Sequence, residues 1–288
     1  MLLALLVTIA HAAHAGPVLD RLRQNGRIVI AHRESSVPFS YVDASGKQVG
    51  YAIDLCLRVA EALRKKLALP ALHPEFVPVT PATRIAAIVE GKADLECGST
   101  TNNAERRQKV AFTIPHYITG TRYLVRSDSP IRDLSMFEGK KLVSTKGATP
   151  LKAIRAANED RMLHIDILEV ADNAKALEMV DSGAADGFAM DDVQLYGLIS
   201  GSPEPGRFKV VGKFLTIEAL AIMMSKDDPE FKHVVDDEMR RLIYSGEAQA
   251  IYERWFNQPI PPKNRVLGVP MNYLLKDSWH YPSDWVPN

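Results

Sequence analysis

Two groups of polar side chains stand at the ends of apolar, strand-like segments. Ser99, Thr100 and Thr101 follow one segment, and Asp191 with Asp192 follows the other. Hydroxyl and carboxylate oxygens can hold a small polar ligand by hydrogen bonds and charge. Because ligands of open α/β sheets bind at the carboxyl ends of the strands, we expect these two groups to face each other across one cleft.

The two segments belong to an internal repeat. Residues 88–99 (IVEGKADLECGS) are echoed by residues 179–191 (MVDSGAADGFAMD), so that Gly91 and Gly183 stand 92 positions apart. Each copy has the end of a helix, a glycine, an Ala-Asp pair and then a strand. The repeat predicts two similar α/β lobes.

The apolar pattern indicates the elements that position these side chains. The β-branched run 27–31 predicts a strand buried on both faces, and residues 51–67 have the spacing of an amphipathic helix. A second strand is predicted over 76–79, and Thr80-Pro81 is predicted to open a helix that ends at Gly91. Alternating strands and helices predict a mostly parallel sheet.

Two more strand-like segments, 120–125 and 219–224, are expected to connect the lobes as a hinge of two crossings. The tail from Asp228 is expected to add helices to the first lobe before Pro259 ends the pattern. The expected division is residues 16–120 plus 225–288 for the first lobe and 121–224 for the second.

The composition narrows the function classes. The chain has 288 residues with 46% hydrophobic and 24% charged, enough for a sizeable core and two domains. Its net charge of zero argues against nucleic-acid binding. Cys56 and Cys97 form no CxxC pair, which excludes a cysteine-rich zinc site. We expect them to be core thiols, with a disulfide left open.

The segment Met1–Ala15 is an uncharged apolar run that ends in Ala13-His14-Ala15. This small-x-small ending predicts a signal peptide that is cleaved after Ala15, and therefore export. The run is shorter than the ~20 residues that span a bilayer. A buried N-terminal helix of a cytosolic protein is the alternative.

Five strings carry a resemblance to a known family. They occur in order along the chain, at 26–41 (GRIVIAHRESSVPFSY), 96–103 (ECGSTTNN), 190–192 (MDD), 226–229 (KDDP) and 259–264 (PIPPKN). Together they resemble the periplasmic solute-binding proteins of polar amino-acid ABC transporters (family 3), and most closely the branch that binds glutamate and aspartate. The resemblance covers nearly the whole mature chain.

This resemblance implies the type II periplasmic-binding-protein fold, with two α/β lobes joined by a two-crossing hinge. It also implies a periplasmic, monomeric binding protein that closes on its amino-acid ligand and docks on a membrane permease. No enzyme activity, cofactor or metal is implied.

The family pattern also suggests how the main chain of the ligand is held. Arg106, with Asn102 and Glu105 at capping-box spacing, is expected to grip the α-carboxylate. Amides near Thr101 and a helix that starts at Thr149 are expected to assist it.

An ammonium group needs acceptors and a counter-charge. In the family pattern Asp191 binds the α-ammonium, opposite Ser99 and Thr101. Asp192 is expected to be a helix cap instead.

Ligand selectivity is expected to depend on two further arginines. By resemblance, Arg33 and Arg84 meet the side-chain carboxylate of an acidic amino acid. A neutral ligand such as glutamine would leave these cations incompletely paired in a closed cleft.

The pocket departs from the pattern of its close relatives at four positions. Pro81 stands where they have Ser, Asn173 where they have His, and Lys146 and Ala148 replace residues of a Ser-Gly-Thr-Thr type loop. Asn173 is still expected to be one of the ligand-binding residues. The four changes leave open the preference between glutamate and aspartate, and the affinity.

Other functions remain as alternatives. Some proteins of this fold are dehydratases, and Glu34, Glu96 or Asp192 could be proposed as a general acid or base. The sequence has no nucleophile elbow, no HExxH and no metal-spaced histidine cluster. Another small dicarboxylate is an alternative ligand. Delivery of the ligand to a separate receptor is an alternative role.

Overall fold

The computed structural model describes residues 16–286. The predicted signal peptide, residues 1–15, lies outside this range. The strands are β1 (Arg27–His32), β2 (Ser35–Ser36), β3 (Ser40–Val42), β4 (Gln48–Val49), β5 (His73–Pro78), β6 (Leu95–Glu96), β7 (Ala111–Phe112), β8 (Tyr117–Thr119), β9 (Thr121–Arg126), β10 (Lys141–Thr145), β11 (Asp166–Val170), β12 (Gly187–Asp191), β13 (Phe208–Val211), β14 (Glu218–Leu220) and β15 (Met223–Met224).

The predicted succession of β1, a helix over 51–67, β5, a helix before Gly91 and β6 is found, whereas the last three helices follow one another without a strand between them. The helices are α1 (Pro17–Asn25), α2 (Tyr51–Lys66), α3 (Arg84–Val89), α4 (Ala104–Arg107), α5 (Thr149–Asp160), α6 (Asn173–Asp181), α7 (Asp192–Gly201), α8 (Pro229–Tyr244), α9 (Glu247–Phe256) and α10 (Tyr273–His280).

Two five-stranded sheets form the cores of two lobes. Their strand orders are β5-β1-β6-β15-β7 and β11-β10-β12-β9-β13. In each sheet one strand, β15 or β9, runs antiparallel to both of its neighbours. The repeated segments supply β6 and β12, which are the central strands of their sheets and pair in parallel with β1 and β10. The predicted α/β class with two lobes and a mostly parallel sheet is therefore confirmed.

The chain crosses between the lobes twice. Strands β8 and β14 pair as an antiparallel ribbon, from Thr119 opposite Glu218 to Tyr117 opposite Leu220. The predicted strand over 219–224 is in fact two strands, because the chain leaves this ribbon after Leu220 and joins the first sheet as β15. The predicted boundary at residue 224 thus falls within the first sheet.

Helices α8 and α9 complete the core of the first lobe. Their buried apolar side chains belong to the same cluster as those of α2, with Phe231, Val235 and Tyr252 among them. Cys56 of α2 and Cys97 at the end of β6 form a disulfide with a Cα–Cα distance of 6.3 Å. The expectation of two core thiols was wrong, because α2 packs across the sheet close enough for the bond to form.

Candidate functional site

Polar side chains from both lobes meet in a small pocket between them, whose volume of about 10 Å³ leaves room for about one water molecule. Six of the eight predicted site residues line this cavity, namely Arg33, Arg84, Ser99, Thr149, Asn173 and Asp191. The other two lie beside it: Thr101 Oγ1 is 2.9 Å from Thr149 Oγ1, and Arg106 Nη1 donates to the carbonyl of Thr101 at 2.9 Å. The structure brings all eight together, and their roles in binding remain predictions.

Two buried arginines form one corner of the cavity. Arg33 directly follows β1, and its N–H donates to Ser40 Oγ at 2.9 Å. Arg84 begins α3 and donates from Nη1 to the carbonyl of Ser99 at 3.4 Å, while its Nε finds no acceptor among residues 16–286. Burial lowers the pKa of both guanidinium groups, that of Arg33 to about 9 with the charge of Arg84 as the second cause. An anion bound in this corner would compensate the burial of the two guanidinium groups and the repulsion between their charges.

Arg84 reaches the cavity through a local structure that differs from the prediction. The helix begins at Arg84 and not at Pro81. The reason is a turn over 80–83, in which Thr83 Oγ1 accepts the N–H of Thr80 at 3.0 Å and the N–H of Arg84 donates to the Thr80 carbonyl at 3.1 Å. Pro81 lies in this turn and lines the cavity.

Arg106 lies at the junction of the two lobes. Besides its bond to Thr101, its Nη2 donates to the carbonyl of Gly147, in the loop before α5, at 3.2 Å. The cap of α4 is Asn103, whose Oδ1 accepts the N–H of Arg106 at 2.9 Å, so the predicted capping role of Asn102 was wrong. Burial lowers the pKa of Arg106 to about 10. Because this value is still well above neutral pH, the side chain stays charged.

Asp191 ends β12 on the wall opposite the arginines. Its Oδ2 accepts from Gln194 Nε2 at 2.8 Å, and its Oδ1 has no partner within the described part of the chain. Burial, followed by the nearby charge of Glu218, raises the pKa of Asp191 well above its ordinary value. A carboxylate with an unused buried oxygen suits an ammonium group. Asp192 is the first residue of α7 and Asp191 holds the N-cap position, so the predicted capping role of Asp192 was wrong. The Oδ1 of Asp192 accepts the hydroxyl of Thr119 and the N–H of Val193.

Asn173 is held in place by two hydrogen bonds on the second wall. Its Oδ1 accepts from Thr145 Oγ1 and its Nδ2 donates to Gln194 Oε1, both at 2.8 Å. Among the four positions that depart from the family pattern, Pro81, Ala148 and Asn173 line the cavity, whereas Lys146 is exposed.

Two buried residues of the site were missed by the sequence analysis. Gln194 lines the cavity and its Oε1 also accepts from Ser36 Oγ of the first lobe at 2.8 Å. Its position three residues after Asp191, one helical turn away, was an available signal. Glu218 in β14 accepts hydroxyl hydrogen bonds from Thr101 and Thr149, and the only signal was a lone acid in an apolar run.

Residues 16–286 contain neither a cluster of metal-binding side chains nor a membrane-spanning helix. No three His, Cys, Asp or Glu side chains come together there as a metal site. In the same range, no helix is long and apolar enough to cross a membrane.

Residues 28–258 match the family model of the bacterial extracellular solute-binding proteins, family 3. The chain belongs to this family. Among family 3 relatives, it is 38% identical to the "Glutamate/aspartate import solute-binding protein" of Escherichia coli (strain K12), over 95% of this chain and 90% of that protein. It is 39% identical to the "L-glutamate/L-aspartate-binding protein" of Pseudomonas aeruginosa, over 92% of this chain and 88% of that protein.

Solved structures agree with the family 3 fold. A mutant of ArgBP from T. maritima superposes with a TM-score of 0.74 at 23% identity, covering 83% of this chain and 99% of that one. An ancestral amino acid-binding protein, a precursor of cyclohexadienyl dehydratase, gives a TM-score of 0.71 at 27% identity with the same coverage of both chains. The predicted type II periplasmic-binding-protein fold is thereby confirmed.

Proposed function

We propose that this chain is the substrate-binding component of an amino-acid ABC importer and that it binds glutamate or aspartate by closure of its two lobes. The observation that carries the proposal is the pair of buried guanidinium groups of Arg33 and Arg84 in one cavity with Asp191. The names of the relatives at 38% and 39% identity support it.

The charges of an acidic amino acid fit this arrangement. Its α-carboxylate is assigned to Arg106, and its side-chain carboxylate to Arg33 and Arg84. Its ammonium group is assigned to Asp191 Oδ1, with Ser99 and Thr101 nearby. Burial of a charge is favourable only when an opposite charge or hydrogen bonds compensate it, so the amides glutamine and asparagine are expected to bind more weakly.

Closure would involve the two lobes as separate bodies. We assign residues 16–120 and 225–288 to one body and 121–224 to the other, with the exception of β15, which pairs within the first sheet. Ligand binding would then shift the population toward the closed form, which docks on the membrane permease. We further propose that the protein acts as a monomer in the periplasm after cleavage of residues 1–15.

Enzymatic activity is the second candidate. Similarity to the precursor of cyclohexadienyl dehydratase favours it, and Glu96, whose buried Oε1 has no partner among the described residues, would be the general acid or base. Incubation with a cyclohexadienyl acid, followed by absorbance of an aromatic product, tests this candidate. We expect no turnover, because the relatives at higher identity are named as binding proteins.

Isothermal titration of refolded, ligand-free protein tests the proposed binding function. Glutamate, aspartate, glutamine and asparagine are titrated in turn. We expect one-to-one binding of at least one acidic amino acid, with each amide weaker by about a hundredfold or more, since a buried cation is left unpaired. Equal or tighter binding of the amides would refute the assignment of Arg33 and Arg84.

A further inference from the structure

Arg265 lies in the loop that follows α9, beyond the residues 28–258 that match the family model. This loop is fixed to the first lobe. The N–H of Ile260 donates to the carbonyl of Arg265 at 3.0 Å, and the side chain of Ile260 is buried in the core of that lobe. Further along, the N–H of Gly268 donates to the carbonyl of Phe256 in α9 at 2.9 Å. The backbone of Arg265 is therefore held by the first lobe on both sides.

The side chain of Arg265 extends in the other direction, to the second lobe. Its Nη1 donates to the carbonyl of Ser200 at 2.9 Å and to that of Ser202 at 2.8 Å. Ser200 lies in the last turn of α7, and Ser202 is the residue that caps this helix. Within residues 16–286, the Arg265 side chain donates no hydrogen bond to its own lobe. Its hydrogen bonds thus join the two lobes and do not stabilise either one alone.

The end of α7 offers acceptors that suit a guanidinium group. The last four carbonyl groups of an α-helix have no N–H partner within the helix, and the aligned peptide dipoles give this end a partial negative charge. A guanidinium group is positively charged, and each Nη carries two hydrogens, so one nitrogen can donate to both carbonyls. The contact therefore combines two hydrogen bonds from a charged donor with a favourable interaction between the cation and the helix dipole.

The bonds of Arg265 continue a row of contacts between the lobes along α7. Gln194, Gly197 and Ser200 follow one another at intervals of three residues, so they lie on one face of the helix. Gln194 accepts a first-lobe hydroxyl at 2.8 Å, and a Cβ atom on Gly197 would lie 2.4 Å from a first-lobe carbonyl oxygen. Each contact joins an atom of one lobe to an atom of the other. Rotation of the lobes away from each other would break them.

We propose that Arg265 is an interlobe latch, which binds the C-terminal end of α7 when the lobes close and stabilises the closed form without contacting the ligand. This inference rests on the proposed function, because it requires closure of the lobes. Arg265 is not among the residues that line the cavity, so it stabilises the closed form equally for any ligand. Since the lobes must open before the ligand leaves, the latch slows dissociation and leaves association unchanged.

Stopped-flow measurement of ligand dissociation tests the latch with Arg265→Met. Methionine retains most of the length of the side chain but has neither a charge nor an N–H donor. We expect the dissociation rate to rise at least about tenfold, the range for the loss of hydrogen bonds from a charged donor, and the association rate to stay within about twofold of wild type. Arg240→Met is the matched control, because Arg240 pairs with Asp237 in its own helix α8. It should leave both rates unchanged.

Comparison of ligands distinguishes a latch from a contact with the ligand. Every amino acid that wild type binds should dissociate faster from Arg265→Met by the same factor, so that the order of preference is unchanged. A dissociation rate within about twofold of wild type, or an effect on one ligand alone, would overturn the proposal. Should Arg265→Met fail to fold, Arg265→Gln is measured in its place, because glutamine is shorter and uncharged. The same two results would then overturn the proposal.

The wild-type protein separates this proposal from the proposed function. If wild type binds an acidic amino acid and Arg265→Met releases it at the wild-type rate, the latch alone is refuted. If wild type prefers another of the twenty common amino acids, the acidic ligand is refuted, and the same comparison with that amino acid tests Arg265. If wild type binds none of the twenty, both proposals are refuted.

Discussion

The carbonyl oxygen of Val37 faces Gly197 so closely that a Cβ atom on Gly197 would lie 2.4 Å from it. Val37 belongs to the first lobe and Gly197 to helix α7 of the second. One helical turn earlier, Gln194 Oε1 accepts from Ser36 Oγ at 2.8 Å. The lobes therefore meet along α7, and their close approach requires the absence of a side chain at position 197.

Gly197→Ala is expected to weaken ligand binding without destabilising the ligand-free protein. Alanine favours a helix interior over glycine by about 1 kcal/mol, but its methyl group would overlap the Val37 carbonyl when the lobes are closed. We predict an affinity loss of about tenfold or more, measured by titration, together with an unchanged or higher unfolding temperature.

Gly201→Ala is the matched control for this prediction, because it lies in the same helix and a Cβ there would meet nothing within 4 Å. It should leave the affinity unchanged. Wild-type affinity in Gly197→Ala would mean that closure does not bring α7 against Val37.

Asp191 makes ligand-free stability depend on pH. Its pKa is raised in the folded protein by burial, so the folded protein binds this proton more tightly than the unfolded chain does. The free energy of unfolding should therefore fall as pH rises from about 4, the pKa of an unfolded aspartate, toward the raised folded value. Asp191→Asn should remove this loss, so that the ligand-free variant is more stable than wild type at neutral pH.

The same substitution should impair function, because a neutral amide cannot compensate an ammonium charge. We predict a large loss of amino-acid affinity in Asp191→Asn, and for wild type a decline in affinity as pH falls through the pKa of Asp191. Urea unfolding and titration across the pH range measure both, with the exposed Asp128→Asn as control. A variant that binds like wild type would show that Asp191 does not contact the ammonium group.

Arg84→Met is expected to change selectivity. Methionine retains most of the length of the side chain and removes its charge, so glutamate and aspartate should lose about a hundredfold in affinity while glutamine and asparagine lose less. The control Arg58→Met removes a half-exposed arginine that pairs with Glu247 outside the cavity. Equal losses of affinity for the acidic amino acids and for their amides would show that Arg84 does not contact the side chain of the ligand.

The Cys56–Cys97 disulfide is expected to stabilise the first lobe. It closes a loop with a sequence separation of 41, for which the loss of unfolded-state entropy corresponds to about 4 kcal/mol. Replacing both residues by alanine should lower the free energy of unfolding by a similar amount in urea titrations, and reductant should then have no further effect. An unchanged unfolding midpoint would mean that the bond does not constrain the unfolded chain.

Much of the fold could be predicted because it is encoded locally. The 92-residue spacing of the Gly-x-Ala-Asp repeat predicted β6 and β12, and each strand end then placed polar residues in the cleft. The predicted start of α3 was wrong because the N–H of Thr80 donates to the hydroxyl oxygen of Thr83 and so forms a turn that the Thr-Pro pattern does not indicate.

The missed features depend on contacts between distant segments. The pairing of Cys56 with Cys97 follows from how α2 packs on the first sheet. Gln194 contacts Ser36 across 158 residues, and Glu218 contacts Thr101 across 117 residues, so both roles arise only when segments that are distant in the chain are brought together. No local pattern specifies such a juxtaposition.

A crystal structure of the protein with its tightest-binding acidic amino acid is the most direct test of the binding site. We predict the α-carboxylate on Arg106, the side-chain carboxylate on Arg33 and Arg84, and the ammonium group on Asp191 Oδ1, each within about 2.7–3.2 Å. A ligand whose side-chain carboxylate points away from both Arg33 and Arg84, or one that lies outside this cavity, would contradict the proposed mode of binding.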